Sequence, residues 1–151
     1  MILASACLCG INCKYNGSNN LHPRFLQLLE QNQLLPVCPE QLGGLCTPRK
    51  PSEIFQGSGI DVLEGRCPVI TRTGQDVTEQ FIRGAKETLN IARLAKVKLA
   101  VLKSNSPSCG VGQIYDGTFS SRLTPGDGVT AALLKKHDIQ VISDLDFVRR
   151  Y

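Results

Sequence analysis

Four short apolar runs, separated by segments with helical spacing, constrain the fold of this chain most strongly. The runs are Ile2–Ala6, Leu34–Cys38, Leu99–Leu102 and Ile139–Ile142. Apolar runs of this length are typical of strands buried on both faces of a parallel sheet, and consecutive parallel strands need a crossover helix between them. The alternation of strand and helix therefore predicts an α/β fold, a Rossmann-like three-layer arrangement with a mostly parallel sheet.

The segments between the runs carry the helices that this fold requires. Pro23–Glu30 has apolar residues at helical spacing, and its proline suits a first helical turn. A longer helix follows Asp76, which we expect to cap it together with Glu79 three residues later. Asp127 is expected to cap a third helix. Residues 46–75 are rich in Gly and Pro, and we expect no more than a small hairpin there.

Length and composition indicate one folded unit. A chain of 151 residues suits a single domain, residues 1–151, and 42% hydrophobic with 20% charged residues is typical of globular proteins. The formal net charge is only +4, and its lysines and arginines are scattered. Nucleic-acid-binding domains carry a denser basic surface, so we expect no nucleic-acid partner, whereas a small anionic substrate is compatible with this charge.

The N-terminus and the apolar runs predict a cytoplasmic protein that does not enter membranes. The first residues lack both the basic region and the long apolar stretch of a secretory leader. No run approaches the roughly 18 consecutive apolar residues that a transmembrane helix needs.

The chain has seven cysteines but only one methionine. Seven thiols cannot all pair as disulfides, and clustered cysteines in a reducing compartment more often bind metal or take part in chemistry. The sequence has no Cys-x-x-Cys pair of the kind that zinc ribbons use, and no ferredoxin run of four close cysteines.

Three predicted strands run directly into loops that contain Cys7, Cys38 and Cys109, and Cys13 lies in the first of these loops. Because ligands of parallel sheets sit beyond the carboxyl ends of the strands, we expect these thiols to meet at one edge. The spacing alone leaves three interpretations open. They are a metal or cluster site, buried inert cysteines, and a redox or nucleophilic thiol.

Three segments of the chain carry a specific resemblance, and three shorter ones extend it. The segments are Ser5–Gly17, Cys38–Arg49 and Leu102–Gly110, with Asp76–Thr78, Ile114–Phe119 and Gly126–Thr130. In order and spacing they resemble the motifs of the thiouracil desulfidase family, formerly a bacterial domain of unknown function. The resemblance covers nearly the whole chain.

The resemblance implies a [4Fe-4S] cluster held by three cysteines, with one iron open to the substrate. The implied reaction is the non-redox desulfuration of a thiolated pyrimidine, 2-thiouracil or 4-thiouracil, to uracil and sulfide. Four cysteines match family positions and leave the choice of three open: Cys7, Cys13, Cys38 and Cys109. We interpret Cys9, Cys46 and Cys67 as packing or incidental residues.

The resemblance also implies which side chains assist. Glu40 is expected to activate water and carry its proton, and Ser106 to contact the base or the departing sulfur. Lys103, Ser104 and Ser108 are candidates for holding the pyrimidine.

Two other functions, and simpler roles for individual residues, remain open from the sequence. The substrate could be a thiolated nucleoside or nucleotide, or the protein could be a non-catalytic cluster- or zinc-binding module for sensing or storage. Glu40 could support the turn that follows it, the serines near Ser106 could form an ordinary turn, and Arg49 and Lys103 could be solvent-facing charges.

Overall fold

A computed structural model describes all residues, 1–151, and contains eight strands and six α-helices. The strands are β1 (Ile2–Ser5), β2 (Leu34–Val37), β3 (Ser52–Ile54), β4 (Val69–Thr71), β5 (Leu99–Leu102), β6 (Gln113–Tyr115), β7 (Leu123–Pro125) and β8 (Gln140–Ser143). The helices are α1 (Pro23–Glu30), α2 (Pro39–Leu42), α3 (Gly59–Leu63), α4 (Thr78–Leu94), α5 (Val129–Lys136) and α6 (Asp144–Arg150). A 3₁₀ turn, Ala6–Cys9, follows β1 directly.

The four predicted apolar runs form one parallel sheet in the order β2-β1-β5-β8. The register pairs Ser5 with Val37, and Leu102 with Ser143, so each of these strand ends lies beside the end of a neighbouring strand. The loops that follow therefore begin at one edge of the sheet. This arrangement confirms the predicted α/β fold with a parallel sheet.

Alternate strand residues pack on opposite faces of the sheet. Leu3 of β1 belongs to a buried cluster with residues of α4 and α5, whereas its neighbour Ala4 packs with Phe25 of α1 and Phe147 of α6. The residues of β5 alternate between the same two clusters, with Ala100 in the first and Val101 in the second. Helices thus cover both faces and form the predicted three layers. None of the helices is long and apolar enough to cross a membrane.

Two small hairpins extend beyond the sheet. The first, β3 with β4, lies in the Gly- and Pro-rich segment where a hairpin was predicted. The second, β6 with β7, was not predicted, because each of its strands has only three residues. A parallel bridge between Asn105 and Ile114 joins this second hairpin to the loop that follows β5.

Two predicted helix caps are wrong. Asp76 does not pair with Glu79; its carboxylate accepts hydrogen bonds from the backbone N–H and the hydroxyl of Thr78, at 2.9 and 2.6 Å. A short Asp side chain reaches the backbone two residues on more easily than a partner in the next turn. Asp127 instead pairs with Lys135 in the last turn of α5, and α5 begins without a side-chain cap.

Candidate active site

A cavity of about 660 Å³ opens at the carboxyl edge of the sheet. The loops after β1, β2 and β5 all contribute to its wall. Eight of the nine side chains singled out from the sequence line it: Cys7, Cys13, Cys38, Cys109, Glu40, Ser106, Lys103 and Ser104. The exception is Ser108.

The loop after β1 supplies two thiols from one compact turn. The 3₁₀ turn ends at Gly10, whose φ of 86° is a left-handed conformation that favours glycine. The chain then folds back, and the backbone N–H of Asn20 donates to the carbonyl of Cys7 at 2.9 Å. This reversal brings Cys13, which is only 2% exposed, to the same cavity as Cys7.

The loop after β2 places a thiol and a carboxylate side by side. Cys38 precedes Pro39, whose fixed φ suits the first turn of α2. The Cys38 thiol lies 3.3 Å from Oε2 of Glu40 and 3.8 Å from the carbonyl oxygen of Cys13. The Cys38 side chain therefore connects the first two loops.

The loop after β5 is shaped by a serine that also faces the cavity. The Ser106 hydroxyl oxygen accepts hydrogen bonds from the backbone N–H of Ser108 at 3.2 Å and of Cys109 at 3.0 Å. These bonds tighten the turn and hold Cys109, which is 3% exposed, against the cavity. Ser106 thus forms the turn that the simpler interpretation predicted and also lines the cavity.

The thiols interact with one another. A hydrogen bond with Cys13 lowers the pKa of Cys7 to about 7. The pKa of Cys13 is raised, first by its hydrogen bond with Cys38 and then by the one with Cys7. Burial raises the pKa of Cys109 well above its usual range. Cys13 therefore lies between two other thiols, and Cys109 contributes the most enclosed one.

Glu40 contacts three neighbours through its two carboxylate oxygens. The Ser106 hydroxyl donates to Oε1 over a long 3.4 Å, while Oε2 faces the Cys38 thiol and lies 3.9 Å from the Arg49 guanidinium. Arg49 also donates to the carbonyl of Cys13 at 2.9 Å, and its side chain is only 14% exposed. The structure thus rejects two simpler interpretations, Glu40 as a turn support and Arg49 as a solvent-facing charge.

Lys103 and Ser104 are both fixed by Asp144, the first residue of α6. The Lys103 ammonium lies 3.5 Å from one carboxylate oxygen of Asp144, and the other oxygen accepts bonds from the backbone N–H and the hydroxyl of Ser104. The backbone N–H of Lys103 donates to the Ser5 hydroxyl at 2.9 Å. The Lys103 ammonium is therefore a cation fixed at the cavity by Asp144, and the hydroxyl of Ser104 already donates to the same carboxylate.

The structure does not place Ser108 beside the other residues that could hold the pyrimidine. Ser108 is 1% exposed and does not line the cavity. Its hydroxyl pairs with the hydroxyl of Thr130 at 2.8 Å, and its carbonyl accepts from the N–H of the same residue. These contacts attach the loop to α5, so the role of Ser108 is structural.

Comparison with known proteins agrees with this geometry. The sequence model of the 2-thiouracil desulfurase family matches residues 2–146. The chain belongs to this family. The match confirms the resemblance seen in the sequence motifs, and its length covers every loop that lines the cavity.

The chain is similar over nearly its whole length to two further proteins. The uncharacterized protein YbbK of Bacillus subtilis (strain 168) is 49% identical over 144 residues, which cover 95% of each chain. The solved structure of the [4Fe-4S]-dependent thiouracil desulfidase TudS is 39% identical and superposes with a TM-score of 0.86, over 98% of this chain and 93% of that one.

This desulfurase-family chain also has cavity residues that the sequence reasoning missed. Four such residues line the cavity. Glu53 lies on β3, Arg72 directly follows β4, Tyr115 lies on β6, and Phe119 belongs to the loop between β6 and β7. No strand-end rule pointed to them, because these hairpins lie outside the parallel sheet. The one sequence signal for this region is the family-like motif Ile114–Phe119, which contains Tyr115 and Phe119.

The three remaining cysteines do not line the cavity. Cys9 is buried against the α1 side of the sheet, and burial raises its pKa to about 11. Cys67 packs at the edge of the larger core, and Cys46 is exposed. Their positions agree with the interpretation that they are packing or incidental residues.

Proposed function

We propose that this protein hydrolyses the thiocarbonyl group of a thiolated pyrimidine, 2-thiouracil or 4-thiouracil, to uracil and sulfide, with a [4Fe-4S] cluster as cofactor. The C–S bond breaks, oxygen from water takes the place of sulfur, and no net electron transfer is needed. The observation that carries the proposal is Glu40, whose carboxylate lies between the Cys38 thiol and the Ser106 hydroxyl in a cavity lined by four cysteines. The family and the similarity to TudS support it.

The donor set fits an iron–sulfur cluster. Four thiols approach one cavity from three separate loops, and cysteine thiolates are the usual ligands of such clusters. No three His, Cys, Asp or Glu side chains converge as a single metal ion would require. A cube carries its irons at separate corners, so its ligands need not converge on one point. The lack of three converging ligand side chains also disfavours the alternative of a mononuclear zinc module.

We propose that Cys7, Cys38 and Cys109 are the three ligands. Cys7, Cys38 and Cys109 each come from a different loop, after β1, β2 and β5, so they approach the cavity from three directions. Cys13 shares the loop after β1 with Cys7. Leaving Cys13 out keeps one ligand from each loop.

When bound, such a cluster supplies an iron with an open coordination position, a Lewis acid that prefers the soft thiocarbonyl sulfur. Glu40 is the proton acceptor for water in this proposal. Once Cys38 has lost its thiol proton, Oε2 keeps only the distant Arg49 guanidinium as a partner. That oxygen is then free to accept a proton from a water molecule placed beside the thiocarbonyl carbon.

Ser106 orients the carboxylate in this proposal. Its oxygen accepts two backbone N–H bonds, so its O–H proton is directed toward Oε1 of Glu40. With Oε1 held, the other oxygen has a defined direction. The same hydroxyl lines the cavity, where it can also contact the base or the departing sulfur.

The deciding experiment is anaerobic purification followed by iron, acid-labile sulfide and activity assays. We expect about four irons per chain, and release of one sulfide for each thiouracil consumed, followed by the loss of thione absorbance. A protein that holds a single zinc per chain, or a cluster-loaded protein that leaves both thiouracils intact, contradicts the proposal. The first result indicates a zinc module and the second a sensor or storage protein.

A nucleotide substrate is a second candidate, and the charge of the cavity wall favours it. Lys14, Lys50 and Arg72 line the cavity without a carboxylate partner, beside the paired Arg49 and Lys103. Unpaired cations at a cavity attract an anionic group such as a phosphate. A thiouridine monophosphate would then show a higher kcat/KM than thiouracil, and the advantage would shrink as salt is added. Equal kcat/KM for base and nucleotide at low salt contradicts this candidate.

A further inference from the structure

We infer that Phe119 provides the aromatic face on which the pyrimidine ring of the substrate stacks, and that Glu53 positions it there. This inference rests on the proposed function, because it names where the substrate ring lies. Phe119 belongs to the loop between β6 and β7, which nothing in the sequence motifs assigned to binding. It is half-buried and lines the same cavity as the thiols.

One face of the Phe119 ring is already covered by a cation. The guanidinium carbon of Arg72 lies 5.7 Å from the ring centroid. A cation held on one face of an aromatic ring is attracted by its negative quadrupole and leaves the opposite face for another flat group. Both residues line the cavity, so this pair of a guanidinium and a phenyl ring lies at the candidate site.

Glu53 holds the loop that carries this ring. Its carboxylate, in a residue only 8% exposed, accepts hydrogen bonds from the backbone N–H of Gly117 at 3.0 Å and of Phe119 at 3.1 Å. Both bonds end on the same oxygen, Oε1. A buried carboxylate needs such partners, and here they come entirely from the loop. Glu53 therefore fixes the loop to β3.

The backbone of this loop is held in an uncommon conformation. Phe119 has a φ of 56° and Ser121 a φ of 61°, both in the left-handed region. Gly117 has a φ of 91°, and a Cβ there would lie 2.6 Å from the carbonyl oxygen of Ile54. Residues held in sparsely populated conformations by their surroundings cluster at ligand-binding sites. These backbone conformations set the direction in which the Phe119 side chain leaves the loop.

A pyrimidine needs a flat apolar surface in addition to the polar groups that act on its thiocarbonyl. Stacking on an aromatic ring supplies that surface and tolerates any base, because every base has a π-face. Among the missed residues, Phe119 alone combines a backbone fixed by a buried carboxylate with one ring face already covered. The ring would set affinity, while Glu40 and Ser106 would set the rate.

Steady-state kinetics on the cluster-loaded protein provide the first test. We expect Phe119→Leu to raise the KM for 2-thiouracil by about 5- to 150-fold, the range given by the loss of one base–aromatic contact, with little change in kcat. Phe119→Tyr keeps the ring and should raise KM far less than Phe119→Leu does. A parental KM in Phe119→Leu overturns the inference.

Glu53 is tested by a matched pair of variants. Glu53→Gln keeps an oxygen at the Oε1 position and should retain most of the affinity, whereas Glu53→Leu removes the acceptor and should raise KM in the same direction as Phe119→Leu. The iron content of both variants should equal that of the parent. A Glu53→Leu variant with unchanged KM contradicts the positioning role.

A binding measurement separates this inference from the proposed reaction. The chain has no tryptophan, so Phe119→Trp introduces a single indole fluorophore at the proposed stacking position. Uracil, the expected product, should change its emission on binding, while the same titration of Tyr151→Trp, at the exposed C-terminus, should show no change. Uracil that binds to the Phe119→Trp variant without altering the indole emission overturns the inference. Quenching together with absent sulfide release supports stacking and contradicts only the proposed reaction.

Discussion

Gly43 and Gly84 lie face to face where α2 crosses α4. A Cβ built on Gly43 would lie 1.9 Å from the carbonyl oxygen of Gln80, and one on Gly84 would lie 1.9 Å from the carbonyl oxygen of Pro39. These contacts are with backbone atoms, which cannot move aside as a flexible side chain would. The two glycines therefore let α2, the short helix that carries Glu40, pack directly on the longest helix of the molecule.

This contact predicts that Gly84→Ala lowers both stability and activity. Alanine is the better helix former by about 1 kcal/mol, so intrinsic propensity alone predicts stabilisation. The clash with Pro39 should reverse the sign and cost about 1–3 kcal/mol of unfolding free energy, as overpacking does. Chemical denaturation measures this, and sulfide release reports the displacement of Glu40. A control, Glu87→Ala on the exposed face of α4, should change stability by no more than about 0.5 kcal/mol; a stabilised Gly84→Ala would contradict the role of this crossing.

Asp61 makes a second prediction, which concerns stability against pH. Hydrogen bonds from the Ser58 backbone N–H, then from Arg66 and the Ser58 hydroxyl, hold the pKa of Asp61 below its ordinary value. A carboxyl whose pKa is lower in the folded state stabilises the protein above its unfolded pKa of about 3.9, and this stabilisation is lost as the pH falls through the folded value.

Asp61→Asn should therefore destabilise the protein at neutral pH and lose that difference in strong acid. Denaturant titrations of parent and variant across the acid range measure the two curves, which should converge at low pH. Glu87→Gln, on the exposed face of α4, is the control and should follow the parent throughout. Curves for Asp61→Asn and the parent that stay parallel down to the lowest pH would contradict the assignment.

The sheet was predictable because its strands are buried on both faces. A short continuous apolar run such as Leu99–Leu102 is typical of a strand buried on both faces. The alternation of such runs with helices then predicts a parallel sheet. The meeting of Cys7, Cys38 and Cys109 at one edge follows from that topology alone. The family resemblance then gave the chemistry, which topology does not specify.

What the sequence did not predict depends on contacts between distant, irregular segments. The loop with Phe119 is fixed by Glu53, 66 residues away, and no local pattern encodes that pairing. Ser108 shares its motif with Ser106. The turn between them nevertheless buries the Ser108 hydroxyl and leaves the Ser106 hydroxyl at the cavity. The single-domain organisation and the cytoplasmic location stay predictions.

The proposed ligand set predicts different outcomes for the four cysteines that line the cavity. Cys7→Ser, Cys38→Ser and Cys109→Ser should each lose most of the iron and acid-labile sulfide, because a hydroxyl is a poor replacement for a thiolate ligand. Cys13→Ser should keep about four irons per chain. Cys46→Ser, at an exposed position, is the matched control. Iron loss in Cys13→Ser with full retention in one of the other three would reassign the ligands.

Glu40→Gln tests the proposed proton acceptor without disturbing the fold. The amide keeps an oxygen for the Ser106 hydroxyl and nearly the same shape, so stability and iron content should match the parent. A neutral amide cannot accept the proton of water, and kcat for sulfide release should fall by about 10²–10⁴, the usual contribution of a general base. The measurement is anaerobic sulfide release normalised to iron content, with Glu87→Gln on the exposed face of α4 as the control. Because the binding surface is untouched, KM for thiouracil should stay near the parental value. A Glu40→Gln protein that releases sulfide at the parental rate would leave the water without a base at this site, and the role proposed for the carboxylate would have to be abandoned.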